Sequence, residues 1–548
     1  MNVADAVGEA LAGLGVEHVF GVIGSGNFTV SNALVRSGAT FVASRHECGA
    51  VSMADAYARV SGRVGVASVH QGPGLTNAMT ALTEAAKSRT PLLLLAADTA
   101  ASALRSNFKI DQDGLVAAVG AVPERLHGPA TAVADAVRAY RRAIDERRTV
   151  VLMLPLDVQA AECRVTAPPP APPRLRPVRP SAESVAEVAD ALVGARRPLV
   201  IAGRGAALAG TSEALERLGE RVGALLATSA AANGLFSGNS WSLGISGGFA
   251  SPQAAALIVQ SDVVLAVGAA LNMWTTRHGR LLGDGATVIQ VDHRADAIGA
   301  DHWVDIGVVG DAAETASALL EELERRKHRS TGRRTRETAE RIHQGAWAGV
   351  SYPDAGGEGR IDPRTLSIEL DRMLPEDRTV AIDSGHFMGW PAMYMQVPDQ
   401  AGFVFTQAFQ SIGLGLGSAI GAAVARPDRL TVAALGDGGA LMSLPELETA
   451  ARLGLRILIV VYDDASYAAE VHHFRPQGQP LDLVHFPDTD LAALGRAAGL
   501  EGLTVRRPED LAAVGPWLDG EGRPGMLVDA KVVPSVVAEW LEEAFRGH

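Results

Sequence analysis

The stretch "LGDGGALMSLPELETAARLGLRILIVVYDDASYAAE", residues 435–470, is apolar for most of its length and carries carboxylates at its ends. A Gly-Asp-Gly-Gly turn opens it and Asp463-Asp464 stands near its close. Before it lies the β-branched run "LTVAAL", and inside it lie a helical pattern and a second run, "RILIVVY". The spacing predicts strand, turn, helix, strand, with both carboxylates at strand tips. Gly436, Gly438 and Gly439 let a ligand approach the backbone, and the following helix start favours an anion. Asp437 in that turn would repel a bare phosphate. A hard cation between them resolves the conflict, because Mg²⁺ takes one or two carboxylates and completes its shell with phosphate and water oxygens.

The same strand–helix alternation runs along the whole chain. Its 548 residues exceed a single core, and two linkers divide it. One is the Pro-rich stretch 167–183 and the other, 325–359, starts basic and ends Gly-rich. The expected units are 1–165, 183–325 and 360–548. Strand-like runs are "HVFGVIG", "TFVAS", "VGVASVH", "PLLLLAA" and "TVVLMLP" in the first unit, and "PLVIAGRG", "ALLATS", "VVLAVGA" and "TVIQVD" in the second. The third has "TVAIDSG", "LTVAALGDG", "RILIVVYDD" and "GMLVDAKV". Continuous apolar strands between amphipathic helices predict an α/β fold of three doubly wound domains with parallel sheets, whose ligands bind beyond the strands' carboxyl ends.

Bulk composition narrows the function. A net charge of −13 argues against a general nucleic-acid or membrane-surface binder. Two cysteines, Cys48 and Cys163, make neither a disulfide framework nor a zinc site, and a reducing cytoplasm is expected. The N-terminus reads as an amphipathic helix rather than a signal peptide, and the longest apolar runs are strand-sized.

The 27 positions from Asp437 to Asp464 resemble the thiamine-diphosphate (ThDP) signature, Gly-Asp-Gly followed by an Asn-Asn pair. The chain is similar over nearly its full length to ThDP enzymes of the acetolactate synthase / 2-oxo acid decarboxylase superfamily, in the order pyrimidine-binding, central, diphosphate-binding. That resemblance implies Mg²⁺ held by Asp437, Asp464 and the carbonyl of Ser466. Asp-Asp stands here where the family usually has Asn-Asn, so one ligand carries an extra negative charge. "FVASRHECGAV" (41–51) is similar to the family's Arg-His-Glu strand end, and implies that Glu47 bonds N1′ of the aminopyrimidine. Proton sharing there drives the 4′-amino group to its imino form, which needs a carboxyl group. Cys48 reads as a small buried neighbour and not a nucleophile.

"FTQAFQSIGLGLGSAIGAAVARPDR" (405–429) is similar to the segment that bends the cofactor, implying Ile412 under the bend and the Gln410 carbonyl on the 4′-amino group. His70, in "VASVHQGPGL", and Glu470 match positions where 2-oxo acid decarboxylases of the family carry proton-transfer groups. His472 and His473 read as structural. Acetolactate synthases have a Phe-Gln pair where this chain offers Asn107-Phe108 or Phe108-Lys109, so their Gln is missing. In the central unit, "IAGRGAALAG" (201–210) follows a strand; relatives hold FAD, ADP or nothing there, and plain structural support is the expected role.

The resemblance implies decarboxylation of a 2-oxo acid and transfer of the acyl anion equivalent to a carbonyl acceptor. A non-ligating decarboxylase that releases an aldehyde is the alternative. A ThDP-fold binding or regulatory protein without turnover is the alternative of another class. A homodimer or homotetramer with sites between subunits is implied.

Overall fold

The structure, a computed structural model, describes residues 1–163, 175–520 and 522–546. It contains three six-stranded sheets in which every pairing is parallel. The first holds His18–Gly21 (β1), Thr40–Ala43 (β2), Gly65–Val69 (β3), Leu92–Asp98 (β4), Val122–Arg125 (β5) and Thr149–Pro155 (β6). The second holds Pro198–Ala202 (β7), Leu225–Thr228 (β8), Ser242–Ile245 (β9), Val263–Val267 (β10), Thr287–Asp292 (β11) and Ile306–Val309 (β12). The third holds Arg378–Ile382 (β13), Phe403–Phe405 (β14), Leu430–Gly436 (β15), Ile457–Asp463 (β16), Glu501–Val505 (β17) and Met526–Lys531 (β18).

The first and third sheets share one strand order, β2-β1-β3-β4-β6-β5 and β14-β13-β15-β16-β18-β17. The middle sheet runs β12-β11-β10-β7-β8-β9, the doubly wound order that reverses between its first and fourth strands. Central strands such as β3, β4, β10 and β13 are buried at every residue, which is why they read as unbroken apolar runs.

One apolar core joins the first and third sheets. It runs from Phe20, Met53 and Leu94 to Leu416, Ile420 and Val461. At its centre the helix Glu47–Ser61 packs on the helix Gly415–Ala425. Both helices are rich in Gly, Ala and Ser at the contact, so their backbones come close. A Cβ on Gly421 would collide with the Met53 carbonyl, and one on Gly417 would meet Ser52 and the Gly49 backbone.

The middle sheet has apolar cores on both of its faces. The basic segment 325–359 is more than a solvated spacer. Its helix Arg336–Gln344 buries no residue, yet Arg333 is buried and donates to the Leu257 carbonyl at 2.6 Å. Residues 167–174 of the Pro-rich stretch lie outside the described residues; at its far end Ser181 caps the helix Ala182–Gly194. Among the described residues, no helix is long and apolar enough to cross a membrane.

Because the Gly421 contact is with backbone, it has no flexible neighbour to yield. Gly421→Ala should destabilise the protein by about 1–3 kcal/mol through overpacking. Thermal denaturation checks this; an unchanged midpoint would show that the two helices are not held at this distance.

Candidate active site

β15 and β16 are adjacent, with Gly436 opposite Tyr462 in register, so Asp437 and the Asp463-Asp464 pair emerge side by side. Asp437 opens the short helix Asp437–Met442. Burial, then Asp464 and Asp463, push its carboxyl up to about 8. Asp464 is pushed up to about 6, first by burial and then by Asp463, against the bonds from Ser466. Among the described residues, no ion pair reaches either carboxylate, whereas Asp463 bonds to the ammonium of Lys531 at 2.6 Å.

The turn after β16 is tightly specified. Asp463 Oδ1 accepts from the Ala465 amide (3.0 Å), and Asp464 Oδ1 accepts from the Ser466 amide (3.1 Å) and hydroxyl (2.8 Å). Ala465 takes a left-handed φ of 58°, and the turn forms an isolated bridge with the loop around His485, the Tyr467 amide donating to the Val484 carbonyl and the Phe486 amide to the Ala465 carbonyl, each at 2.9 Å. A cavity of about 340 Å³ lies beside it, lined by Asp437, Gly438, Asp463, Tyr467 and Phe486. Asp464 and Ser466 are not on its wall.

The donor set fits a divalent cation carrying a diphosphate. Two carboxylates raised by burial and neighbouring carboxylates have no ion pair among the described residues, with Arg360 only a distant positive charge on Asp464, and hard oxygen donors suit Mg²⁺. Among the described residues no group of three or more His, Cys, Asp or Glu is placed to hold a metal, so phosphate and backbone oxygens would supply the remaining ligands. The glycines form the cradle: a Cβ on Gly438 would lie 2.7 Å from the Tyr467 ring, and one on Gly439 would strike Asp383.

Asp383, at the tip of β13, escaped the sequence reading. It is fully buried and pushed up to about 6 by that burial. Its carboxylate accepts from the amides of Ser384 (2.9 Å), Gly413 (2.9 Å) and Leu414 (3.2 Å). It thereby pins the chain just after Ile412 beside the Gly439 turn. Gln410 is exposed, has a φ of 60°, and its carbonyl accepts from the Ser384 hydroxyl at 3.4 Å. Ile412 is half-buried. The rule that pointed to Asp437, polar residues at strand tips, applies equally to "TVAIDSG".

Glu47 starts the helix that His46 caps by accepting from the Cys48 amide (3.1 Å). Glu47 is half-buried and accepts from Asn77 at 3.0 Å, a residue of the helix Pro73–Lys87. Glu446 of the third unit, also missed from sequence, is buried and accepts from the His46 (2.9 Å) and Arg45 (3.1 Å) amides. It holds the strand end that presents Glu47. Among the described residues, no hydrogen bond or ion pair links Glu47 to Asp437 or Asp464 within the chain. The Cys48 thiol is pushed up to about 11 by burial, as suits a neighbour rather than a nucleophile.

His70 follows β3, lies 3.4 Å from the Ser25 hydroxyl, and packs its ring 5.1 Å from Phe108. Its loop leads into the helix that carries Asn77, so His70 and Glu47 share one support. Glu470 is exposed in the first turn of Ala468–Phe474. On that helix His472 packs 4.5 Å from His386 and has a buried Nε2 without a hydrogen-bond partner. His386 Nε2 accepts from the Ala538 amide (2.9 Å), and burial pushes it down to about 3, so it is neutral. His473 stacks on Phe545. In the middle unit Gly203 and Gly205 pack against the Gly268 backbone, which explains the glycines of 201–210 by close approach. A cavity of about 400 Å³ adjoins them, bordered by Arg204, Gly205 and Asp292, and reaches Gln410.

The three parallel six-stranded sheets define an α/β protein built from three like units. Residues 1–115 match the thiamine pyrophosphate enzyme N-terminal TPP binding domain, 185–319 the central domain and 383–518 the C-terminal TPP binding domain. The chain is 31% identical over 527 residues (93% of this chain, 90% of the relative) to a protein named "Probable 2-ketoarginine decarboxylase AruI" from Pseudomonas aeruginosa. It is 29% identical over 551 residues (94% and 90%) to sulfoacetaldehyde acetyltransferase of Castellaniella defragrans. A "Probable acetolactate synthase large subunit" of Methanocaldococcus jannaschii is 26% identical over 534 residues (93% and 88%). The chain belongs to the thiamine pyrophosphate enzymes and is a ThDP-dependent enzyme.

The raised carboxyls give a signed stability prediction. Without cofactor, Asp437 binds its proton more tightly folded (about 8) than unfolded (3.8). Stability therefore falls as pH rises from about 4 to 8. Asp437→Asn should stabilise the cofactor-free protein at pH 8 by on the order of a few kcal/mol, read as a higher melting temperature, and by clearly less at pH 5. Equal effects at both pH values would contradict the assigned burial.

Proposed function

We propose that the protein catalyses ThDP- and Mg²⁺-dependent decarboxylation of a 2-oxo acid and transfers the resulting acyl anion equivalent to a carbonyl acceptor. The observation that carries this reading is the uncompensated pair Asp437 and Asp464 on adjacent strand tips, in a chain that also places Glu47 at a helix start. ThDP, when bound, supplies the electron sink that lets CO₂ leave. Asp437, Asp464 and the Ser466 carbonyl would hold Mg²⁺, and the turn Gly436, Gly438 and Gly439 would receive the diphosphate. Glu47 shares a proton at N1′ of the aminopyrimidine, Gln410 offers its carbonyl to the 4′-amino group, and Ile412 supports the bend. His70 and Glu470 move protons to and from the substrate. The units 1–165, 183–325 and 360–548 serve as pyrimidine-binding, central and diphosphate-binding domains. The active form is a homodimer or homotetramer with each site between two subunits.

The relatives bear names for acetyl transfer, decarboxylation and acetolactate synthesis, so both the carboligase and the simple decarboxylase lie within this family. Glu470 and the missing Gln favour aldehyde release; the overall resemblance favours carboligation.

Purified protein with Mg²⁺, ThDP and a panel of 2-oxo acids, with and without carbonyl acceptors, separates these readings. Acyloin products such as acetolactate support carboligation, and aldehyde with CO₂ supports the alternative. Silence across the panel with no ThDP bound would support a non-catalytic protein. Removing divalent cations by chelation should abolish turnover, and Mg²⁺ with ThDP should restore it. Glu47→Gln should lower turnover by about 10²–10⁴-fold, the range for loss of acid–base catalysis. Full activity in that variant would overturn the assignment.

A further inference from the structure

The carboxyl edge of the third sheet carries a charge that the proposed cofactor chemistry does not use. Across the adjacent strands β15, β16 and β18, Gly436 pairs with Tyr462, and Asp463 pairs with Lys531. The tips therefore present Asp437, Asp463 and Lys531 in a row, with Asp464 one residue further on. Lys531 is almost wholly buried. Its ammonium reaches Asp463 Oδ2 (2.6 Å), Asp488 Oδ1 (2.6 Å), the Thr489 carbonyl (2.8 Å) and Asp529 Oδ2 (3.1 Å). Asp463 and Asp529 are buried as well, so this cation has no water to share its charge with.

We propose that Lys531 is a positioning residue of the cofactor site: it neutralises Asp463 and fixes its carboxylate at the wall of the cavity shared with Asp437, so that its charge does not oppose the anionic cofactor. This rests on the reading of Asp437 and Asp464 as Mg²⁺ ligands. Three carboxylates at the tips of β15 and β16 exceed what one divalent cation offsets, and Lys531 takes up the third. It also fixes geometry. With Oδ2 held by Lys531, Asp463 Oδ1 accepts from the Ala465 amide, the bond that sets the left-handed turn presenting Asp464 and Ser466. Through Asp488 and Thr489 the same ammonium anchors the segment next to Phe486, which pairs with that turn. Removing one member of a buried ion pair leaves an uncompensated charge, whereas removing both is far better tolerated.

The test is the affinity of the full-length protein for ThDP at saturating Mg²⁺, read by titration calorimetry, for wild type, Lys531→Met, and Asp463→Asn with Lys531→Met. Lys531→Met should bind ThDP at least about tenfold more weakly, because an unpaired carboxylate then opposes the diphosphate. The double variant, with both charges gone, should recover to within about threefold of wild type. A purely structural lysine would shift the melting temperature and leave the ThDP affinity of the folded protein near wild type, so affinity is the readout, and a double variant as weak as the single one overturns the proposal. Unchanged binding in Lys531→Met overturns it as well. If Lys531→Met does not fold, the double variant must fold and bind, and its failure counts against the proposal. Wild type that binds no ThDP with Mg²⁺ would instead overturn the functional reading on which the proposal rests.

Discussion

Two largely buried carboxylates at the tips of neighbouring parallel strands, neither of them in an ion pair among the described residues, govern this structure. The register of β15 on β16 brings Asp437 and Asp464 together; burial raises both, with Asp464 and Asp463 adding to the rise at Asp437 and Asp463 to that at Asp464. Such an arrangement opposes folding unless a ligand compensates it. In the function proposed above, a divalent cation carrying the diphosphate would supply what is missing and would tie the stability of this edge to cofactor binding.

The rest of the molecule keeps that edge in place. Asp383 fastens the chain just after Ile412 beside the glycine turn through the Gly413 and Leu414 amides, with its own neighbour Ser384 fixing the carboxylate. Glu446 reaches across to the backbone before Glu47, and the small-residue contact between the helices Glu47–Ser61 and Gly415–Ala425 holds the first and third units together. Each of these is a polar or close-packed contact inside an apolar core, where the geometry tolerates little variation.

The α/β fold was legible in the sequence wherever strands are buried on both faces. The strands not foreseen, β5, β9, β12, β14 and β17, are all sheet edges. Edge strands are short and partly exposed, as in the pattern of Ile306–Val309, and so lack the continuous apolar run that reveals an interior strand. The candidate site was legible where chemistry recurs at fixed spacing, at Asp437, Asp464 and Glu47. Asp383, Glu446 and Lys531 were not foreseen, because their roles depend on partners 30, 400 and 68 positions away, a relation that local pattern does not carry. Asp463-Asp464 shows the difference well. Spacing singled out Asp464, and the fold shows what becomes of its neighbour: Asp463 turns to Lys531, while among the described residues no ion pair reaches Asp464.

The most direct measurement is a crystal structure of the protein with ThDP and Mn²⁺ in place of Mg²⁺, the ion located by its anomalous scattering. The account predicts one ion bound by Asp437, Asp464 and the Ser466 carbonyl and by two diphosphate oxygens, at the short distances of about 2.0–2.2 Å typical of a small hard cation. Asp463 should remain on Lys531. An ion ligated by Asp463, or ThDP bound with no ion at these strand tips, would contradict it.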